Sequence, residues 1–264
     1  MLRQRVLTAV IGLPLFLALI WFGNPWFVLA IAIIAILGSL EFYGMTIAHA
    51  MQPLIYFAIA ITVLLTISPY YPNFITRHFI LTVAIIVSLV WLLFLPKREG
   101  EFHNWSWTVA GILYLGWMLS YWAELRNLEQ GREWLYWSMI IIMISDTIAF
   151  FVGRAWGKHH LAPAISPKKT WEGAIGGVVA SITVSIILGI VLSIPLAYWQ
   201  LALAGGIISI VAQLGDLVES LLKRNSGVKD SGNMVPGHGG ILDRIDSFIF
   251  TGALVYYLAI AINQ

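Results

Sequence analysis

The sequence contains no cysteine and few charged residues. Its 264 residues include 15 Lys and Arg and 13 Asp and Glu, so charged side chains make up only 11% of the chain. The missing cysteine excludes a disulfide-stabilised secreted scaffold. The scarcity of charge beside 59% hydrophobic residues excludes a soluble enzyme, a coiled coil and a disordered chain. Long apolar runs are abundant instead, and they predict a protein that lies in a bilayer.

Four common catalytic motifs are also missing from the sequence. It has no G-x-x-x-x-G-K-[ST] phosphate loop, no G-x-G-x-x-G after a strand, no H-E-x-x-H and no G-x-S-x-G. These absences argue against the nucleotide-binding, zinc-dependent and serine-dependent enzymes that carry those motifs. Any chemistry must therefore come from another arrangement of polar residues.

The apolar runs predict an all-α, polytopic integral membrane protein with about nine transmembrane helices. The expected spans are residues 6–22, 26–45, 54–67, 79–95, 105–122, 134–152, 171–192, 198–222 and 245–262. Counts of about eight or ten fit the same runs, because several boundaries are marked by turns rather than by helix ends. The first run also resembles a signal peptide, but no small-residue cleavage pattern follows it, and we expect a retained helix.

Basic residues are unevenly divided between the two sides that these spans define. With a cytoplasmic N-terminus, the outer side carries only Arg77, Arg126 and Arg132. The inner side carries Arg3, Arg5, Lys97, Arg98, Arg154, Lys158, Lys168, Lys169, Lys223, Arg224, Lys229 and Arg244. Since short basic loops stay in the cytoplasm, we expect a multi-pass protein of the inner (plasma) membrane. Many Trp and Tyr lie near predicted helix ends, which indicates interfacial anchoring, and we expect no nucleic-acid partner.

Polar residues concentrate in the second half of the chain. We divide the chain into residues 1–133, with about five spans, and residues 134–264, which carry the predicted active site facing the cytoplasm. Charges cluster within 154–169 and 223–246, and five of the fourteen residues from 227 to 240 are glycine. Such a backbone can approach an anion closely and direct several N–H groups at it. We therefore favour a ligand-binding loop over a mobile linker.

Three acidic residues, Asp146, Asp216 and Asp243, lie inside or at the mouth of apolar runs. An ionised carboxylate is costly in hydrocarbon, so each must face a cation, a polar cavity or a basic partner. Hard oxygen ligands from two helices suit Mg²⁺, and we predict that Asp216 and Asp243 bind it. The alternative is that the acids pair with basic neighbours, and for Glu219 and Asp246 both interpretations stay open. The available partners are Arg224, Arg244 and Lys229.

Helical spacing groups further polar residues around these acids. Spacings of three and four residues place Asp216, Glu219, Ser220 and Lys223 on one helix face. Asp243 and Asp246 share a face in the same way if the last helix begins near Leu242. Each predicted metal ligand therefore has a second acid or a hydroxyl beside it.

A second basic segment directly precedes a predicted helix. Lys168 and Lys169 come before a helix start at Thr170, with Glu172 in the first turn. Two ammonium groups beside a helix N-terminus suit a phosphate, although cytoplasmic positive charge alone also accounts for the lysines. His238, which lies between two glycines, could donate to phosphate, carry a proton or simply form a turn.

The segment from Ser220 to Asp246 resembles the signature of the phosphatidate cytidylyltransferase family, also called CDP-diacylglycerol synthases. It reads SLLKRNSGVKDSGNMVPGHGGILDRID. The matching positions are Ser220, Lys223, Arg224, Lys229, Asp230, Gly232, Pro236, His238, Gly239, Gly240, Asp243, Arg244 and Asp246. The run from Ser166 to Gly173 is similar to a second family stretch, and Ser145-Asp146-Thr147 to a third.

The resemblance implies an integral membrane enzyme, often a homodimer, that joins CTP and phosphatidic acid to give CDP-diacylglycerol and pyrophosphate. It implies a requirement for Mg²⁺, ligated by Asp216 and Asp243, with a second, monovalent cation such as K⁺ as a further expectation. We expect catalytic roles for Asp216, Asp243, Lys223, Arg224, Lys229 and Arg244. We expect substrate binding by Lys168, Lys169, Ser166, Ser220, Asp230, Gly237, His238, Gly239, Gly240, Asp246 and Asp146.

Two other classes share some of these features. A cation-coupled transporter would carry acids in its spans, but it would not need the glycine-rich and basic segments on a single side. A CDP-alcohol phosphotransferase also uses membrane carboxylates and Mg²⁺. Its acidic motif, Asp-x-x-Asp-Gly-x-x-Ala-Arg, is missing here.

Overall fold

The computed structural model describes residues 12, 14–47, 52–71, 76–95, 100–232, 234 and 239–263. Nearly all of its regular structure is helical. The helices are α1 (14–22), α2 (Trp26–Ile47), α3 (Ile55–Ile67), α4 (Arg77–Leu92), α5 (Glu101–Gly111), α6 (Met118–Asn127), α7 (Gly131–Trp156), α8 (Trp171–Val191), α9 (Tyr198–Asn225) and α10 (Leu242–Asn263). A 3₁₀ turn, Ser68–Tyr70, follows α3, and a π-helical segment, Ile112–Trp117, joins α5 to α6.

The predicted class, a helical membrane protein, is confirmed. Within the described ranges, five helices are long and apolar enough to cross a membrane. They are Trp26–Thr46, Gly131–Trp156, Trp171–Val191, Tyr198–Asn225 and Leu242–Ile262. The helices Ile55–Tyr70 and Arg77–Leu92 are apolar but shorter. The total of about nine spans and the cytoplasmic N-terminus stay predictions.

The chain divides into two compact units. The first unit comprises Met1–Asn127 and Ser226–Arg244, and the second comprises Leu128–Asn225 and Ile245–Gln264. The glycine-rich segment and the first residues of α10 therefore belong to the first unit. The Lys168-Lys169 segment and α9 belong to the second.

In the first unit, aromatic side chains pack between the helices. The rings of Phe42, on α2, and Trp107, on α5, have centroids 5.6 Å apart. Tyr43 is 1% exposed, and its hydroxyl donates to the carbonyl oxygen of Thr108 at 2.9 Å. A buried tyrosine hydroxyl needs such a partner, so this bond fixes α2 against α5.

In the second unit, α8 packs through small residues. The buried positions on α8 recur every fourth residue: Gly173, Gly177, Ser181, Ser185 and Gly189. A Cβ atom at Gly177 would lie 3.0 Å from the carbonyl oxygen of Ser145 on α7, which leaves little room for a side chain. Small residues permit such close backbone approach in membrane helices. Large apolar side chains are exposed elsewhere on α8, at Trp171, Ile175, Val179 and Ile187, as lipid contact requires.

A short antiparallel hairpin precedes α8, and sequence analysis did not predict it. Strand β1 is His160–Ala162 and strand β2 is Ser166–Thr170, with His160 opposite Thr170. The predicted helix start at Thr170 is close to the structure, in which α8 begins at Trp171 and Thr170 is its N-cap. The Thr170 hydroxyl accepts a hydrogen bond from the N–H of Gly173 at 3.2 Å. Lys168 and Lys169 therefore lie on a strand, where successive side chains point to opposite faces.

Candidate active site

Four carboxylates of the second unit form one electrostatic cluster. Asp246 interacts with Asp216, Glu219 and Asp146, and Asp146 also interacts with Asp216. They come from three helices: Asp146 from α7, Asp216 and Glu219 from α9, and Asp246 from α10. We call these four residues the carboxylate cluster. Three predicted site residues, Asp146, Asp216 and Asp246, are thus brought together.

A serine contact aligns the helices that carry two of these acids. The hydroxyls of Ser145, on α7, and Ser209, on α9, are 2.6 Å apart and share a hydrogen bond. Asp146 follows Ser145 directly, and Asp216 lies two helical turns beyond Ser209. Both serines are fully buried, so this bond fixes the register of α7 against α9.

Lys169 is the basic partner of Asp216. Its Nζ lies 2.7 Å from Asp216 Oδ2, with the lysine side chain 24% exposed and the aspartate 33% exposed. The hydroxyl of Ser220 donates to Asp216 Oδ1 at 3.4 Å. Lys168, the neighbour on the same strand, is exposed. The two lysines, which sequence analysis treated alike, therefore have different surroundings.

The hairpin holds Lys169 beside α9 through contacts at the start of α8. The N–H of Trp171 donates to the carbonyl oxygen of His159 at 2.9 Å. His159 Nδ1 lies 2.7 Å from Glu172 Oε1, in the first turn of α8. The Nε–H of Arg224, on α9, donates to the carbonyl oxygen of Ile165 at 3.2 Å. Arg224 therefore contacts the hairpin backbone, which is a different environment from that of Lys169.

Glu219 and Lys223 form a buried ion pair along α9. Lys223 Nζ lies 2.5 Å from Glu219 Oε2, and the two side chains are 11% and 0% exposed. Two contacts between residues four positions apart confirm the predicted common face: Asp216 with Ser220, and Glu219 with Lys223. Glu219 thus has a basic partner, which is one of the two roles that sequence analysis left open for it.

Two acids of the carboxylate cluster accept hydrogen bonds from Ser247. Its hydroxyl bonds to the Asp146 carboxylate, and its backbone N–H donates to Asp246 Oδ1 at 2.6 Å. Lys169 pairs with Asp216, and Lys223 pairs with Glu219. A hydrogen bond does not cancel a negative charge, so four carboxylates beside two ammonium groups suit an additional cation.

The chemistry of these donors fits Mg²⁺. Carboxylate oxygens are the hard ligands that this ion prefers, and it is usually held by one or two carboxylates together with substrate phosphates. Among the residues that the structure describes, no three His, Cys, Asp or Glu side chains are grouped so that they alone could hold a metal ion. Asp216 with Asp146 or Asp246 could supply a partial set of ligands, which phosphate oxygens would complete.

The second predicted metal ligand, Asp243, lies in the first unit and is tied to the glycine-rich segment. Its Oδ2 accepts from the N–H of Ser231 at 3.1 Å, from the Ser231 hydroxyl at 3.0 Å and from the N–H of Gly240 at 3.0 Å. Gly239 has φ of +85°, a conformation that favours glycine. The carboxylate of Asp243 thus holds the backbone at Ser231 and at Gly240. Its sharing of a magnesium ion with Asp216 stays a prediction.

Glu41 is a buried acid that contacts residues at both ends of the glycine-rich segment, and sequence analysis missed it. It belongs to α2 and is 4% exposed. Its carboxylate accepts from the Ser231 hydroxyl at 3.1 Å and from the N–H groups of Ile241 and Leu242 at 3.0 and 2.9 Å. An available signal was its position: an acid inside the apolar run 26–45, the same argument that selected Asp146 and Asp216.

The remaining predicted site residues have fewer described contacts. Lys229, Asp230 and Arg244 are exposed, and Ser166 is half-buried at the start of β2. Gly237 and His238, with Pro236, lie outside the described residues. Their roles in substrate binding stay predictions.

Comparison with known proteins gives consistent matches along the whole chain. The model of the cytidylyltransferase family matches residues 3–262. A phosphatidate cytidylyltransferase of Bacillus subtilis (strain 168) is 34% identical over 262 residues, covering 97% of both chains. One from Synechocystis is 35% identical over 287 residues, covering 97% of this chain and 96% of the relative. The chloroplastic phosphatidate cytidylyltransferase 4 of Arabidopsis thaliana is 34% identical, covering 97% of this chain and 72% of the relative.

Proposed function

Because this chain belongs to the cytidylyltransferase family, we propose that its acidic and basic clusters serve a nucleotidyl transfer at the membrane. The enzyme transfers CMP from CTP to phosphatidic acid, which gives CDP-diacylglycerol and pyrophosphate for phospholipid synthesis. The observation that carries this conclusion is the identity of 34–35% to phosphatidate cytidylyltransferases over 97% of the chain. The resemblance of residues 220–246 to the family signature agrees with it.

The reaction needs charge control more than it needs a base. A phosphate monoester has a second pKa of about 6, so phosphatidic acid is largely a dianion at neutral pH and already a nucleophile. One of its oxygens bonds to the α-phosphorus of CTP as the bond from that phosphorus to the β-phosphate oxygen breaks. Pyrophosphate leaves with that electron pair. Two anions must therefore be brought together, which the cationic groups of the site make possible.

Magnesium, when bound, supplies neutralisation of the triphosphate and of the leaving pyrophosphate. Asp216 and Asp243 are the ligands that we propose from the sequence. The electrostatic interactions of Asp216 with Asp146 and Asp246 support a magnesium site at that end of α9, because they indicate further hard donors in its neighbourhood. Potassium has no comparable support, and the K⁺ prediction stays a prediction.

Lys169 is the cation that we propose for a phosphate of the substrates. Its ammonium lies on Asp216 Oδ2, so an incoming phosphate oxygen competes with that carboxylate for it. When Lys169 moves to the phosphate, Oδ2 is exposed to a cation. Lys223 and Arg224, followed by Lys229 and Arg244, are proposed to hold the β- and γ-phosphates. Lys168 and Ser166 are proposed to contact the lipid phosphate.

We propose that these residues face the cytoplasm in the inner (plasma) membrane. The uneven distribution of Lys and Arg supports this orientation, with the N-terminus inside and about nine spans. A cytoplasmic site also gives access to CTP. The homodimer that the family resemblance implies is proposed on that ground alone.

The test is an assay of the purified protein with CTP, phosphatidic acid and Mg²⁺. We expect pyrophosphate release and a lipid product that contains cytidine. UTP in place of CTP tests base selection, and EDTA tests the metal requirement. A protein that is folded in lipid, yet releases no pyrophosphate under these conditions, would contradict the proposed function.

A further inference from the structure

Glu41 is an acidic side chain deep in an apolar helix. It lies in α2, in the last third of the helix Trp26–Ile47, and 4% of its surface is exposed. Placing a carboxylate there is costly unless hydrogen bonds or a cation stabilise it. The described contacts are three donors from a segment about 200 residues later: the Ser231 hydroxyl and the N–H groups of Ile241 and Leu242. Hydrogen bonds from Ser231, Ile241 and Leu242 therefore stabilise the carboxylate of Glu41.

The amides that Glu41 accepts lie at the start of α10. The N–H groups of the first helical turn have no partner within the helix, and negative charge beside them is favourable. Ile241 and Leu242 donate to the two different oxygens of Glu41, so the carboxylate is held at both ends. Glu41 thus supplies from α2 the capping function that a local side chain often provides.

The same contacts reach Asp243 through Ser231. The Ser231 hydroxyl lies 3.1 Å from Glu41 Oε2 and 3.0 Å from Asp243 Oδ2. Gly240 also donates its N–H to Asp243 Oδ2 at 3.0 Å. A displacement of Glu41 would therefore disturb both the hydroxyl and the turn that orient Asp243.

The carboxylate of Glu41 explains why two positions of the family signature are glycine: it leaves no room for a side chain at either one. A Cβ atom at Gly232 would lie 2.8 Å from the carboxyl carbon of Glu41, and so would one at Gly240. A Cβ atom at Gly240 would also meet the Ser231 hydroxyl. Both distances are too short for ordinary contact. Glu41, Ser231 and the two glycines thus form one close-packed arrangement.

We propose that Glu41 is a positioning residue for the transfer reaction. It holds Ser231 and the first turn of α10 so that Asp243 has a fixed orientation. This inference rests on the proposed role of Asp243 in binding magnesium. Outer partners of ligating groups usually change metal affinity or activity by about 10–100-fold when they are removed.

The test is Glu41→Gln in the full-length protein in lipid, because glutamine keeps the size but replaces one acceptor oxygen by a donor. We expect kcat to fall at least about tenfold and the Mg²⁺ concentration for half-maximal activity to rise, with the KM for phosphatidic acid changed less. We also expect faster hydrogen exchange at the amides of residues 240–242. That readout is independent of activity.

The matched control is Glu124→Gln. Glu124 is an acid of the same unit and forms an ion pair with Arg77 at 3.2 Å. Its loss should lower the unfolding temperature without changing the Mg²⁺ dependence or the exchange at residues 240–242. If Glu41→Gln behaves like this control, with a normal kcat for the folded fraction, Glu41 is only structural and the inference is wrong.

Ser231→Ala covers the case in which Glu41→Gln does not fold. It removes the hydroxyl between the two carboxylates without altering a charged residue. We expect the same direction of change in kcat and Mg²⁺ dependence, and wild-type values for both would overturn the proposal.

Asp243→Asn separates the proposed role of Asp243 from that of Glu41. Full activity of that variant contradicts the role of Asp243, whereas an inactive Asp243→Asn beside a normal Glu41→Gln contradicts only the role of Glu41.

Discussion

Replacing Lys169 by methionine removes the ammonium group that Asp216 contacts. The pair is 2.7 Å long, and its side chains are 24% and 33% exposed. Exposed ion pairs contribute about 0–1 kcal/mol, whereas removal of one partner from a buried pair costs about 3–5 kcal/mol. This pair is intermediate, so we expect Lys169→Met to lower the free energy of unfolding by about 1–3 kcal/mol. Asp216 would then face Asp146 and Asp246 without its cation.

The effect on turnover should exceed the effect on stability. If Lys169 holds a phosphate while charge moves to the leaving group, its loss should reduce kcat/KM for CTP by about 100–1,000-fold. That factor corresponds to about 2.7–4 kcal/mol of transition-state stabilisation. Pyrophosphate release in lipid micelles measures kcat/KM, and tryptophan fluorescence during thermal unfolding measures stability. Lys158→Met, at an exposed lysine in the segment before the hairpin, is the control and should change neither.

The double variant Lys169→Met/Asp216→Asn separates a phosphate role from an ion-pair role. Removing both charges should recover most of the lost stability, because no unpaired carboxylate remains. Activity should stay low, since the cation and a predicted metal ligand are both gone. Recovery of activity in the double variant, or a kcat/KM within about twofold of wild type in the single variant, would refute the reasoning.

Three further substitutions test other parts of the structure. Asp243→Asn should leave the protein in the membrane fraction and reduce pyrophosphate release at least about 100-fold, as loss of a charge clamp in the transition state does. Gly240→Ala should reduce activity and lower the unfolding temperature, because its methyl group would meet Glu41, whereas Gly44→Ala has open space and should be neutral or slightly stabilising in both assays. Thr170→Val removes the N-cap of α8 and should cost about 1 kcal/mol of stability in thermal unfolding.

Local features of the site could be predicted from the sequence. Helical spacing alone placed Asp216 with Ser220 and Glu219 with Lys223, and both contacts are present. Apolar runs predicted most helices because a membrane span must satisfy its own backbone hydrogen bonds. The start of α8 was also predicted, since a threonine before an acidic first turn is a common helix N-terminus.

Contacts between distant segments could not be predicted in the same way. The basic partner of Asp216 is Lys169, a residue that the sequence suggested for phosphate, rather than one of the nearer candidates Arg224 or Lys229. The hairpin that presents Lys169 was missed because its strands are short and polar, and they lack the alternation that marks a half-buried strand. Spacing along a helix carries no information about such a pairing.

The buried acids of this protein are stabilised by partners that phosphate chemistry can also use. Asp216 is held by an ammonium group, and Glu41 by the amides that begin a helix. Both kinds of donor bind phosphate oxygens as readily as carboxylates. An acid that is stabilised in this way can lie in an apolar environment, and it keeps a cationic or N–H donor group in place beside it. In the carboxylate cluster, we propose that Lys169 can exchange Asp216 for a substrate phosphate, because the incoming substrate is itself an anion. Around Glu41 the donors are two backbone N–H groups and the Ser231 hydroxyl, all within a packed turn, so we expect this pairing to stay fixed and to orient Asp243 throughout the reaction.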